Sequence, residues 1–77
     1  MHMVSLPDLA LGQRGVVKQI ERNMPLADRL IELGFFPGAD VRRLYSDRTE
    51  SISAYIIADT CIALRRKDAA CVRVEAR

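Results

Sequence analysis

Apolar residues along the chain recur at two spacings, and the change of spacing divides the sequence into strands and a helix. Val16-Val17-Lys18-Gln19-Ile20 is a β-branched run suited to a first strand. Leu26, Leu30 and Leu33 then recur at i, i+4 and i+7, flanked by Ala27 and Ile31, while Asp28, Arg29 and Glu32 take the opposite side. That spacing predicts an amphipathic helix. Beyond residue 40 the pattern becomes alternation. Val41 to Tyr45 predicts a second strand, interrupted at Arg42-Arg43 in a way that suggests a β-bulge. Ile52 to Ala58 predicts a third strand. Ile62 and Leu64, alternating with Ala63 and Arg65, predict a fourth, and Cys71-Val72-Arg73-Val74 the last.

The residues between these runs are turn and cap formers. Ser5-Leu6-Pro7-Asp8 predicts a short helical turn with Ser5 as its cap and Leu6 and Leu9 directed at the core. Asn23 is placed to cap the helix, with Pro25 in the first turn, where a missing N–H costs nothing. Gly34 supplies the left-handed residue that ends a helix of about ten residues. Pro37-Gly38 is the signature of a type II turn into the next strand. Ser46 to Glu50 reads as a polar hairpin tip, Asp59-Thr60 as a turn, and Lys67 to Ala70 as a helical turn.

At 77 residues the chain has room for one small domain. Five short strands are too few for a two-sheet sandwich. They suffice for a mainly β fold: a small, strongly bent, partly open SH3-like barrel of about five strands, with one α-helix inserted after the first strand. The domain is expected over residues 4–77, with Met1-His2-Met3 an appended or unordered leader. His2, the only histidine, is therefore set aside as a chemical group. A core of this size rarely contributes more than roughly 3–5 kcal/mol of net stability, so a docked partner or self-association would help it.

Composition narrows the function classes. Hydrophobic residues at 49% and charged residues at 29% are a globular balance. Twelve basic against ten acidic residues leave a net charge of only +2, which is no polyanion-binding tail. Ten of the cations are Arg, a bias that suits bidentate binding of carboxylate or phosphate and follows equally from GC-rich coding. Cys61 and Cys71 are too few for a disulfide lattice and do not form a paired metal motif, so reduced thiols in the cytoplasm are expected. No run is long enough to span a membrane, and no signal segment opens the chain.

Candidate chemistry is sparse. Without a usable His, Ser-His and Cys-His pairs are unavailable, and no catalytic residues are assigned. Gly12 and Gly15 lack the Lys-Ser/Thr and the helix of a phosphate cradle. Asp28 and Glu32 stand at i, i+4 and could share a divalent transition metal weakly; no cofactor is required. Arg42, Arg43, Arg65, Arg66 and Lys67 could face nucleic acid, but Tyr45 and Tyr55 are the only aromatics near them.

The run Arg29-Leu30-Ile31-Glu32-Leu33-Gly34-Phe35-Phe36-Pro37-Gly38-Ala39-Asp40-Val41 resembles the RLxELGxxPGxxV stretch of the ferrous iron transport protein A (FeoA) family. Leu6, Leu9, Gly12, Gly15 and Ile20 fit the family's opening. Ile62-Ala63-Leu64-Arg65, then Ala69 and Val72-x-Val74, fit its closing segment, so nearly the whole chain from Val4 is covered. Asp47 to Ser51 departs from a Gly-Asp-Pro-like turn, and Ala58-Asp59-Thr60 from a Gly common before the fourth strand.

The resemblance implies an SH3-like barrel, a cytoplasmic location and a part in bacterial ferrous iron uptake. Its implied partner is the cytoplasmic face of the FeoB-type transporter, whose cytosolic portion carries a GTP-binding domain. The expected function is a non-enzymatic adaptor or regulator, with no direct membrane insertion and with homo-oligomer formation through exposed strand edges as a further expectation. The alternatives are an SH3-like nucleic-acid-binding module and a weak metal sensor using Asp28, Glu32 or the cysteines. Partner-binding residues are expected among Leu26, Phe36, Arg42, Arg43 and Tyr45, because aromatic and Arg anchors centre most interfaces, and a domain this small need not bury both Phe35 and Phe36.

Overall fold

A computed structural model describes residues 2–77. Six antiparallel strands form one curled sheet in the order β1-β6-β2-β3-β4-β5, with β1 at Met3–Ser5, β2 at Arg14–Ile20, β3 at Asp40–Ser46, β4 at Ile52–Ile57, β5 at Thr60–Arg65 and β6 at Val72–Ala76. Helix α1 spans Ala27–Leu33 between β2 and β3, and a single turn, α2, spans Arg66–Ala69. The expected barrel architecture holds, with two corrections. There are six strands among the described residues, and the helix follows the second of them. The additional strand is β1, whose Met3 pairs with Glu75 and whose Ser5 pairs with Arg73. Three residues are too short to show a periodicity, so its existence depends on β6 at the far end of the chain. Met3 is thus part of the sheet, not of a leader, and the His2 carbonyl accepts a hydrogen bond from Ala76 N–H. Met1 lies outside the described residues.

Two register shifts bend the sheet. One lies between Val17 and Gln19 where β2 meets β6, the other between Arg43 and Tyr45 where β3 meets β4, so the bulged residue is Leu44 rather than the preceding arginines. Bulges increase local twist and let a single sheet curl over its own face. The concave side carries Val17, Val41, Tyr55, Ile57, Leu64, Val72 and Val74, which close on Leu6, Leu9, Leu30 and Phe35. Ser5 precedes the 3-10 turn Leu6–Asp8 as expected but makes no side-chain cap bond.

α1 is shorter than its periodicity predicts. Ala27 N–H reaches Met24 O at 3.0 Å, so Met24 to Ala27 form a tight turn with Pro25 and Leu26 at its centre, and Leu26 is the N-cap without a side-chain bond. The C-terminal end is as expected. Gly34 has φ +119°, its N–H bonds Ile31 O, and Phe35 N–H bonds Leu30 O, which together form a Schellman motif. Ala39 N–H then bonds Phe36 O at 3.0 Å around Pro37 and Gly38, whose φ of +95° completes the type II turn.

Ala58 and Asp59 join β4 to β5 in a two-residue turn with φ of +50° and +61°. This is the type I′ pattern, whose two central positions favour Gly, Asn and Asp. Asp tolerates the left-handed region, whereas the Ala58 Cβ meets the steric cost of roughly 1 kcal/mol that Gly avoids. Ala58→Gly is expected to raise the unfolding free energy by about 0.5–1 kcal/mol in a urea titration, and a loss of stability would contradict this assignment of strain.

Candidate docking groove

The Schellman end of α1 decides which phenylalanine reaches the surface. Left-handed Gly34 reverses the chain so that Phe35 enters the core with no exposed area, and the next side chain, Phe36, points outward and stays 49% exposed. A Cβ on Gly34 would lie 3.4 Å from both the Ala58 Cβ and Ile57 Cγ1, so this corner is seated against the β4–β5 hairpin. An open groove of about 530 Å³ runs beside it, with Phe36, Ala39, Val41 and Ile56 as its apolar part and Arg14 and Arg42 on the β2–β3 side.

The two arginines are direct neighbours. β2 and β3 pair so that Arg14 stands opposite Arg42. Like charges directly opposite are unfavourable in a sheet, and neither guanidinium makes an ion pair among the described residues. A carboxylate brought to the groove would relieve that repulsion. Asp40 and Asp59 stand at the margins of the same groove. Arg14 was not among the expected contact residues, because its proximity to Arg42 depends on strand register across a span of 28 positions.

The expected contact residues divide. Phe36 and Arg42 share the groove. Tyr45 is 60% exposed farther along β3, opposite Ala54, on the same outer face. Leu26 is half-buried and lines a separate shallow depression with Met24, Pro25, Arg65, Lys67 and Asp68.

Arg43 is a correction. It is 4% exposed and belongs to the interior. Its Nη1 donates to Leu9 O at 2.8 Å, its Nε and Nη2 to Ser53 Oγ, and its Nη2 to Glu50 Oε1 at 3.1 Å. Its backbone is engaged as well: its carbonyl accepts from Gly12 N–H and its N–H donates to Gln13 O. Strand alternation places Arg43 on the inward face with Val41, opposite buried Tyr55 and ahead of the Leu44 bulge, and its side chain runs under the Leu9–Gln13 loop. Beside it the Tyr55 hydroxyl is buried and reaches no partner among the described residues, and burial pushes its pKa up.

Two of the other cations are also engaged with carboxylates. Arg65 Nε bonds Asp68 Oδ2 at 2.8 Å, and Arg66 Nη2 bonds Asp8 Oδ1 at 2.8 Å. With Arg43 inside, the five cations expected to face nucleic acid do not form one surface. Asp28 and Glu32 are exposed on α1, and among the described residues no group of three or more His, Cys, Asp or Glu side chains could hold a metal ion.

Cys61 is exposed and Cys71 buried, and both are free. Burial pushes the Cys71 thiol up, the carboxylates of Glu21 and Asp68 adding to the shift, and its Sγ donates to Asp68 O at 3.2 Å. At the β3–β4 tip, Asp47 takes the organising role of the missing Gly-Asp-Pro-like turn. Its carboxylate accepts from the N–H groups of Ser51 and Ile52 and from the hydroxyls of Thr49 and Ser51. Desolvation raises its pKa, but those bonds together outweigh it and hold the carboxyl below its ordinary value.

Similarity to known proteins accords with this geometry. Comparison with curated proteins returns no match. Among solved structures, the Stenotrophomonas maltophilia FeoA complexed with zinc is 30% identical, with 94% of this chain and 89% of that one covered and a TM-score of 0.82. It is described as a procaryotic SH3 domain protein proposed as a ferrous iron transport activating factor. An iron uptake regulatory protein (FeoA) is 22% identical over the full length of both chains with a TM-score of 0.86. The Chlorobium tepidum FeoA protein, 22% identical, covers 95% of this chain and 70% of its own with a TM-score of 0.85. The model of the FeoA domain matches residues 4–76, and the chain belongs to the FeoA domain family.

Proposed function

We propose that the chain is a non-enzymatic cytoplasmic adaptor of bacterial ferrous iron uptake, and that it docks on the cytosolic region of a FeoB-type transporter through the Phe36 groove. Family membership supports the iron-transport role, and the description of the S. maltophilia relative points the same way. The observation that carries the docking surface is Phe36 held half out of the fold by the family's own helix-Gly-Pro-Gly stretch, beside two unpaired arginines. An aromatic anchor with adjacent Arg is the composition of an interface centre, and partner carboxylates would meet Arg14 and Arg42. Contacts at those rim charges set the rate of encounter more than the final affinity.

The test is an NMR titration of the labelled protein with the isolated cytosolic region of the transporter, in its GDP-bound and GTP-analogue-bound states. Shifts centred on Arg14, Phe36, Arg42 and Ala58 are expected in at least one state. No association in either state, or shifts confined to the opposite side of the barrel, would defeat the reading.

A further inference from the structure

The sheet ends at β5 with no strand across from it among the described residues. The tight Ala58-Asp59 turn makes Ile57 and Thr60 the first hydrogen-bonded pair, and the register with β4 runs unbroken from there to Arg65. Thr60, Ile62 and Leu64 therefore bond β4, and the N–H and C=O groups of Cys61 and Ala63 point away from it. Natural edges are blunted by lysine, proline, a bulge or a covering element. From Thr60 to Leu64 this strand has no lysine, proline or bulge, and Cys61 and Ala63 are small and exposed. On the outer face Ile52 of the adjoining β4 is 46% exposed and Tyr45 of β3, one strand farther in, is 60% exposed, so the open edge continues into apolar surface.

The charges at the ends of this strand identify what it pairs with. Asp59 precedes β5, and its carboxylate makes no hydrogen bond or ion pair among the described residues. Arg65 ends β5 and bonds Asp68 through Nε, which leaves its Nη groups unbonded. An acid at the start and a base at the end of one strand are matched by the same strand running the other way. With the two-fold axis at Ile62, Cys61 faces the second copy's Ala63, and Asp59 faces its Arg65. An axis at Cys61 or at Ala63 instead sets Asp59 against an alanine or Arg65 against a cysteine.

We propose that two copies of this chain associate through antiparallel pairing of their β5 edges about a two-fold axis at Ile62, closed at both ends by Asp59–Arg65 pairs. On each side of the axis, Cys61 and Ala63 exchange both N–H···O bonds, and the two sheets become continuous. The association is independent of the docking reading.

Sedimentation of the full chain up to about 1 mM tests it. The unmodified protein is expected to move from the 8.7 kDa monomer toward twice that mass as concentration rises. Ala63→Pro removes only an outward N–H, so it is expected to keep the circular dichroism of the unmodified protein and remain monomeric. Ala63→Cys is expected to form a disulfide-linked dimer on mild oxidation, joining the introduced thiol to Cys61 of the other copy, since a hydrogen-bonded pair has Cα atoms about 5.5 Å apart. A monomer throughout, or a folded Ala63→Pro that dimerises like the unmodified protein, overturns the proposal. If Ala63→Pro does not fold, the cross-link decides, and its absence is equally fatal.

Discussion

Phe35→Ala is expected to lower the unfolding free energy by about 3–5 kcal/mol, the cost typical of emptying a fully buried aromatic site. Phe35 has no exposed area and packs with Leu30, Val41 and Ile57 in the central cluster. A domain of this size holds only a few kcal/mol in total, so much of the variant should be unfolded at 25 °C. Phe36→Ala, one residue on, should cost under about 1 kcal/mol, because a half-exposed ring has little packing to lose. Urea titrations of the two variants give the comparison directly. Equal losses would mean that the Gly34 reversal does not separate the two rings.

Arg43→Ala is expected to cost about 3 kcal/mol. Its guanidinium satisfies the Leu9 carbonyl and the Ser53 hydroxyl, and truncation strands both acceptors in the interior and leaves a void. Glu50→Ala should cost less than about 1 kcal/mol, since the Glu50 side chain is 59% exposed and its ion pair with Arg43 is screened by water. Chemical unfolding of both variants separates these contributions. An Arg43→Ala protein as stable as the parent would show that the residue is not the strut that joins the Leu9–Gln13 loop to the β3–β4 hairpin.

What could be read from the sequence was what is local. From Leu26 to Val41 the helix face, the left-handed Gly34 and the Pro37-Gly38 turn each follow from neighbours within a few positions, and the family stretch lies in this segment. The start of α1 was less legible, because Asn23-Met24-Pro25 looks like a cap, whereas Met24 to Ala27 closes as a tight turn and Leu26 takes the N-cap place. β1 escaped detection because its pairing partner lies at the other end of the chain. Arg43 looked like a surface cation for the same reason. It alternates inward with Val41, but its acceptor at Leu9 is 34 positions away, so nothing near it in the sequence shows what would receive a buried guanidinium. The groove was half visible: Phe36 and Arg42 stand out as residue types, whereas Arg14 joins them only through the β2–β3 register.

The proposed docking requires the family stretch to present Phe36 to the transporter while Phe35 holds the core. Calorimetric titration of Phe36→Ala against the transporter's cytosolic region, in whichever nucleotide state binds the unmodified protein, tests this most directly. Affinity is expected to be about 30-fold weaker, the loss of one interface anchor, with the urea midpoint nearly that of the parent. Unchanged affinity in a folded Phe36→Ala protein would contradict it.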